Sequence, residues 1–453
     1  MRCKRFCAAA LVLVGLLLAV QHVAAQDAHY WTLQYGPRSS LLGGAVIGSV
    51  EDISATYYNP GALALASDLT FAITANVFER SGISLEGGGG EGVNLGTSQS
   101  GLRPSLLAGT LKRGVFGSGV LAYSALTRVK GTQDFSGVVI QSGSELDPSL
   151  QLQDRAASVQ FEGEFSDFWA GISYSQPFGS HFGLGVTWYA AFRSQRRRAE
   201  AVNQSIATDG TGFVSLDIRG GEYSTTRTLA KFGAFAAVGP FSGGLTVTTP
   251  SIHISGSGQL AFNTSTVSPD TAALASSVQT DLPAEFKSPL SVGAGGALRI
   301  GKTRLHASAE WFEATAPYVV IQGEDFVSQA PAQVVPVDAV QELAEVLNWG
   351  AGLEHAISPS VSAYASYSTD NSGLSEDIER AGLSALPLDI SLISAGSDFV
   401  LGPARFTLGL GYAWGRKVDQ ALTDVLQQED PNFEAVFVYR SIRVIFGFEI
   451  GIN

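Results

Sequence analysis

The sequence is nearly free of cysteine and methionine: Cys3, Cys7 and Met1 are the only ones, all within the first 25 residues. Further along the chain this excludes a disulfide framework and a thiolate metal site. Histidine is scarce as well. Beyond residue 25 there are His29, His181, His253, His306 and His355, and none stands in H-E-x-x-H or another metal-ligand spacing. No G-x-S-x-G elbow occurs. Charged residues make up only 15% of the chain and lean acidic, 41 Asp and Glu against 28 Lys and Arg. An acidic chain is a poor partner for nucleic-acid phosphates. Nor does any apolar run after residue 25 reach the ~18 residues of a membrane-spanning helix. These absences point away from an enzyme, a metal or cofactor protein, and a nucleic-acid binder.

The first 25 residues have the pattern of a secretory leader. Arg2, Lys4 and Arg5 precede the apolar run AAALVLVGLLLAV (8–20), and Val23-Ala24-Ala25 offers a cleavage site, so the mature chain is expected to begin near Gln26. Export without cysteines suits a bacterial envelope protein.

What the chain has in quantity is glycine, 52 residues, and alternation. In ARFTLGLGYAWG (404–415), Phe406, Leu408, Leu410, Tyr412 and Trp414 form one face; the other face is small or polar. HFGLGVTWYAAFR (181–193) and the C-terminal SIRVIFGFEIGIN repeat the pattern. Period two over nine or more residues reads as a strand of bilayer-crossing length. Fourteen such strands are expected, near 69–79, 103–112, 115–129, 165–176, 181–196, 226–238, 241–249, 290–300, 303–313, 348–357, 360–369, 389–400, 404–415 and 440–452. Connections between them alternate strictly. Six are tight and hold Gly or Pro; the other seven, 80–102, 130–164, 197–225, 250–289, 314–347, 370–388 and 416–439, are long. Short turns on one side and long loops on the other are the signature of an all-β, antiparallel outer-membrane barrel with both termini on the periplasmic side.

The side chains expected to face inward are Arg193, Arg299, Glu310, Arg405, Arg443 and Glu449, and His306 with Arg304 and Ser308. Arg196-Arg197-Arg198 falls where a strand leaves the membrane, within reach of lipopolysaccharide phosphates. The stretch GGGGEG (87–92) matches G-x-G-x-x-G in letters, but no helix follows, so it reads as a loop. In VPVDAVQELAEVL (335–347), Val340, Leu343, Ala344 and Leu347 share one face of an expected short helix. That face is a candidate ledge for capturing an apolar ligand at the surface.

A barrel of 14 strands leaves a lumen. Residues 26–68 precede the first strand and are expected to fold into that lumen as a plug, with 69–453 forming the barrel. GAVIGSVEDISATYYNPG (44–61) suits such a plug: small residues, a corner at Asn59-Pro60-Gly61, and Glu51 and Asp52 to hydrogen-bond the wall. Proline restricts the corner, and Gly61 is expected to supply a φ that other residues take with difficulty.

GGAVIGSVEDISATYYNPGALA, with LPAEFKSPLSVGAGG (282–296) and NWGAGLEHAISPSVSAYASY (348–367), resembles the FadL/TodX family of outer-membrane transporters for long-chain fatty acids and other hydrophobic compounds. The resemblance spans the whole mature chain. It implies a hatch-plugged barrel in which an apolar ligand enters from the extracellular loops and leaves sideways beside a kink in the third strand. The family's hatch Asn-Pro-Ala lies next to that kink. Asn59 and Pro60 match it, Gly61 replaces the alanine, and Gly117 and Gly119 are the kink candidates in the expected third strand. The implied partners are a long-chain fatty acid or similar hydrophobic ligand and outer-membrane lipid, with the chain expected to act as a monomer. No cofactor is implied. The N-terminal pattern also resembles the PorV-type shuttle, an outer-membrane barrel that binds secreted proteins. A continuous apolar pocket in the lumen is the feature that separates the two.

Overall fold

A computed structural model describes residues 28–66, 71–87, 94–143, 152–269, 271–374, 388–418 and 434–451. The expected leader and most of the 87–92 glycine stretch lie outside these residues.

The described strands are β1 (Phe71–Glu86), β2 (Leu95–Val115), β3 (Gly119–Ser142), β4 (Leu152–Phe178), β5 (Phe182–Ala207), β6 (Gly212–Val238), β7 (Phe241–Thr248), β8 (Ile252–Ser268), β9 (Thr271–Pro283), β10 (Ser291–Ile300), β11 (Thr303–Phe312), β12 (Thr315–Ile321), β13 (Phe326–Val327), β14 (Val334–Val335), β15 (Ala339–Leu343), β16 (Val346–Ser358), β17 (Val361–Asp370), β18 (Ile390–Leu401), β19 (Ala404–Val418) and β20 (Val436–Ile450). Fourteen of them, β1–β7, β10, β11 and β16–β20, form an antiparallel barrel, closed where β1 pairs β20 from Phe71↔Ile450 to Glu86↔Val436. Each of the fourteen overlaps an expected strand. The β1–β20 pairing closes the sheet on itself, so neither β1 nor β20 is left as a free edge.

Alternation decides which side faces out. On β5, Trp188 is 60% exposed while its neighbours Thr187 and Tyr189 are at 0%. Leu184, Trp188 and Phe192 sit on an outward apolar face that begins at Phe182. At ~3.3 Å per residue and a tilt near 40°, the stretch from Phe182 to Phe192 makes a belt about 25 Å tall.

Four expected loops are largely strands instead, 80–102 among them, where β1 and β2 stay paired from Arg80↔Ser100 to Leu85↔Leu95. The segments 130–164, 197–225 and 250–289 largely continue the hairpins: β3 and β4 stay paired from Lys130↔Ser166 to Ser142↔Asp154, and β5 and β6 to Ile206↔Gly212. β8 and β9 pair beside β6 above β7. These extensions stand above the apolar belt and mix polar with apolar residues, such as exposed Val138 and Ile140 and buried Tyr223 and Leu260, so they show no sustained period-two hydropathy. Their ladders rest on backbone pairing.

The expected ledge helix at 335–347 is also overturned. Val340 and Leu343 lie in β15, which pairs β12 through Val319↔Val340 and Thr315↔Leu343. Ala344 follows β15, and Leu347 points outward on β16, 55% exposed. The four do not share a face. The β-branched APYVVI segment supplies a strand partner, and tertiary pairing overrides the local 3.6 period.

Candidate functional site: a filled lumen, a cavity above it and a seam in the wall

Residues 28–66 lie inside the barrel and are almost entirely buried. Two short helices, α1 (Pro37–Leu41) and α2 (Ala55–Tyr58), and a 3-10 turn (Pro60–Ala64) fold around Tyr35, Leu41, Leu42, Val46 and Leu63. Room for them comes from inward glycines on the wall. A Cβ added to Gly396 or Gly409 meets Leu41 at 2.8 and 2.2 Å; one on Gly352 meets Leu42 at 2.7 Å; one on Gly447 meets Pro37 at 2.4 Å. Much of the chain's glycine therefore serves the contact between segment and wall.

The Asn59-Pro60-Gly61 corner is held most closely. Asn59 Nδ2 donates to the Ile47 and Ala234 carbonyls, both at 3.0 Å, and Oδ1 accepts from Gly61 N at 3.1 Å. Gly61 is required by space rather than by an unusual φ, because an added Cβ falls 2.7 Å from the carbonyl oxygens of Gly183 and Gly233. Opposite it, Gly185, Gly233 and Gly244 each leave under 2.5 Å between an added Cβ and the corner. The corner therefore rests on β5, β6 and β7, and the 3-10 turn that begins at Pro60 also reaches β4 and β3.

Polar tethers complete the seat. Arg38 pairs Glu354 at 2.5 Å and donates to Ser49 O at 3.0 Å; His306 meets Ser49 Oγ at 2.8 Å; Ser308 accepts from Ile47 N at 3.0 Å. Glu310 accepts from Trp31 Nε1 at 2.9 Å, and Arg443 donates to Thr32 O at 2.8 Å. Asp370 accepts from the Tyr30 and Trp31 amides at 3.0 and 2.8 Å. Arg193, Arg304, His306, Ser308, Glu310 and Arg443 thus face inward as read from alternation, whereas Arg299 is exposed near a turn. Glu51 bonds Arg304, while Asp52 bonds Ser54 within the segment rather than the wall.

Burial pushes the Asp52 carboxyl above the usual carboxylate range, with Ser54 opposing. Burial would also raise Glu51, but Arg38 and Arg304 hold it below the ordinary value. A carboxylate with a lowered pKa stabilises the seated form above its unfolded pKa and loses that effect as pH falls through the folded one. Glu51→Gln is therefore expected to speed amide exchange around residues 49–52 at pH 7, and by much less at pH 3 (rates corrected for intrinsic exchange). Because the Glu51 side chain is 51% exposed, the effect should stay below ~1 kcal/mol.

Above the segment is a cavity of about 60 Å³. Tyr30 and Tyr57 form part of its floor, with Trp169, Leu229, Phe286, Phe312 and Leu343 around it. Leu343 is the one residue of the expected ledge that reaches it. Charges line it too, several of them paired: Arg193–Asp167 at 4.0 Å and Lys231–Glu310 at 3.4 Å, with Arg227 reaching Asp167 from outside the lining at 2.5 Å. Phe286 lies between Arg193 and Arg227, 4.0 and 4.9 Å from its ring centre. The lining is aromatic with paired charges, not purely apolar.

The wall beside this cavity is not fully laddered. β2 and β3 pair from Val115↔Gly119 only up to Leu106↔Leu126. Above that, β2 stays with β1 to Leu95 and β3 stays with β4 to Ser142, but among the described residues the two share no further ladder. Higher up, Leu95 packs against Gly137, where an added Cβ would overlap its side chain. The seam between these levels has local causes. Pro104 has no N–H to donate, which suits an unpaired strand edge. In β3 a register shift falls between Thr127 and Val129, leaving Arg128 as the bulged residue. Leu126 lies seven residues above Gly119, roughly 18 Å up the belt after tilt. Gly117 and Gly119 are not the irregularity. Gly117 sits in the turn before β3 with φ 98°, and Gly119 is the first residue of β3. The usable signal in the sequence was Pro104 inside an expected strand.

No protein-family profile and no curated protein matches the sequence. Solved structures do. The toluene transporter TodX of Pseudomonas putida superposes with a TM-score of 0.61 at 12% identity, covering 93% of this chain and 99% of that one. The toluene transporter TbuX of Ralstonia pickettii gives 0.58 at 9% identity, with 93% and 99% covered. A Pseudomonas aeruginosa FadL homologue gives 0.52 at 12% identity, with 93% and 98% covered. A closed 14-strand barrel matched over nearly its whole length by these channels has the FadL/TodX fold.

Proposed function

We propose that the chain is a bacterial outer-membrane channel for passive uptake of hydrophobic small molecules, long-chain fatty acids or monoaromatic hydrocarbons, with release sideways through the β2–β3 seam. The observation that carries this reading is a coincidence of place. The stretch of wall where the β2–β3 ladder stops borders the cavity through Arg128 and Val129, and the lumen below is filled by residues 28–66. A molecule entering from the tall-hairpin end meets an aromatic cavity, a filled path ahead and an unpaired edge beside it. Burial of apolar groups contributes about 0.8 kcal/mol per CH₂. A sideways path into the bilayer keeps that contribution; a wet pore through the barrel would forfeit it. The resemblance and the transporters sharing the fold support the same reading.

The test is mass spectrometry of solvent-extracted molecules from detergent-purified protein, together with uptake of labelled palmitate and toluene by liposomes carrying it. A stoichiometric hydrophobic molecule and protein-dependent uptake are the expected results. No bound molecule and no uptake above empty liposomes would reject the channel. Under the second reading, a PorV-like barrel binding secreted proteins, the upright β3–β4–β5–β6 sheet above the belt is the binding surface, and pull-down with that sheet intact should then recover a partner.

A further inference from the structure

Arg128 differs from three of the arginines that tie the N-terminal segment to the wall, and resembles Arg113, which donates to the Ala66 carbonyl at 3.1 Å. Arg38 faces Glu354, Arg304 faces Glu51, and Arg443 lies 3.5 Å from Glu79. Among the described residues, no carboxylate lies within 4 Å of Arg128. Its donors go to neutral acceptors on the segment: Tyr57 Oη at 2.6 Å, Tyr35 Oη at 3.1 Å and Tyr30 O at 3.1 Å. Its guanidinium lies 5.0, 5.3 and 5.9 Å from the ring centres of Trp169, Tyr57 and Tyr35. Tyr35 also donates back to the Arg128 carbonyl at 3.2 Å, on the edge of the seam.

The groups that Arg128 holds here are the protein's own phenols, Tyr57 and Tyr35. A tyrosine side chain is p-cresol attached to backbone. Tyr57 and Arg128 both line the cavity, so an entering molecule meets this contact directly. Contacts between a cation and neutral acceptors exchange more readily than the ion pairs that anchor the rest of the segment. A hydrocarbon has no oxygen to offer the guanidinium, whereas a phenol presents the hydroxyl and ring face that Tyr57 presents.

We propose that Arg128 is a specificity-determining residue that takes phenolic aromatics in place of Tyr57, and that this exchange frees the segment from the edge of the seam. The proposal rests on reading the seam as the exit. It goes beyond that reading in separating phenols from hydrocarbons of the same shape.

The test compares p-cresol with p-xylene, which carries a methyl in place of the hydroxyl. Binding to wild type, Arg128→Lys and Arg128→Met is followed by tryptophan fluorescence, since Trp169 faces the site. Hydrogen exchange is followed in the 30–35 and 55–58 regions. In wild type, p-cresol should bind at least ~10-fold more tightly than p-xylene, because a site built to bond a hydroxyl discriminates against its absence. Arg128→Met should abolish the preference with p-xylene binding within about threefold of wild type, and Arg128→Lys should keep part of it. p-Cresol, but not p-xylene, should speed exchange at 30–35 and 55–58 and leave 59–66 protected. A general loss of structure would speed all three regions. Equal binding of the two probes in wild type, a preference that survives Arg128→Met, or exchange that rises uniformly would overturn the proposal. Toluene uptake without any phenol preference would leave the channel reading standing and remove only this one.

Discussion

A bulky group fixed at residue 129 is expected to stop uptake, while the same group at residue 242 leaves it unchanged. Val129 is buried, lines the cavity and stands on the unpaired edge of β3. Val129→Cys is nearly isosteric and should transport normally. The only native cysteines are Cys3 and Cys7, within the expected leader, so labelling is site-specific. Alkylation with a biotin maleimide should lower labelled-toluene uptake at least ~10-fold, whereas the small methanethiosulfonate adduct should lower it little. Ser242 lies below the segment, where it accepts from Arg304 at 2.9 Å. A ligand leaving through the seam never reaches it, while one running straight through the barrel must pass it. Block at Ser242→Cys and not at Val129→Cys would therefore reject sideways release. Folding is checked in each case by the heat-dependent gel mobility of a closed barrel.

The second large effect concerns the seat of the corner. In Gly185→Ala a new Cβ falls 2.3 Å from Pro60 O, and in Gly244→Ala one falls 2.3 Å from Asn59 Nδ2 and 2.4 Å from Ile47 O. Backbone atoms are involved at both positions, so relief requires the corner to move. Overpacking typically costs about 1–3 kcal/mol per site. Displacing Asn59 adds ~1–3 kcal/mol for each buried donor left unpaired. The double variant is expected to speed amide exchange at residues 59–66 by a factor of about 100 or more, while β5 and β7 keep their ladders. Unseating should also admit ions, read as conductance in planar bilayers. Gly296→Ala is the control: its nearest contact is 3.4 Å away and lies on the wall, so it should remain silent. If the double variant is equally silent, the glycines are not what holds the corner.

The limits of legibility follow from the kind of signal each feature leaves. Where a strand has lipid on one side and a packed lumen on the other, hydropathy must alternate. β5, β11 and β19 were therefore readable from alternation, including the inward placement of Arg193 on β5 and His306 on β11. The hairpin extensions rise above the apolar belt and have no lipid face, so alternation is not enforced, and residues 130–164 and 197–225 read as loops. The 335–347 segment misled for the opposite reason. Its 3.6 period is real in the letters, but β12 offered ladder partners that a local reading does not see.

Local chemistry in the sequence by itself determined that this chain is an alternating, cysteine-poor β-barrel with a compact N-terminal segment turning at Asn59-Pro60-Gly61. Those properties reside in neighbouring residues: period two and turn residues. Which wall the corner rests on, where the ladder between β2 and β3 ends, and that Arg128 meets Tyr35 and Tyr57 were decided only in the tertiary structure. Each depends on groups brought together from distant parts of the chain, such as Gly61 with Gly233 and Arg128 with Tyr57. Close approach and hydrogen bonding act through space, and spacing along the chain does not encode them.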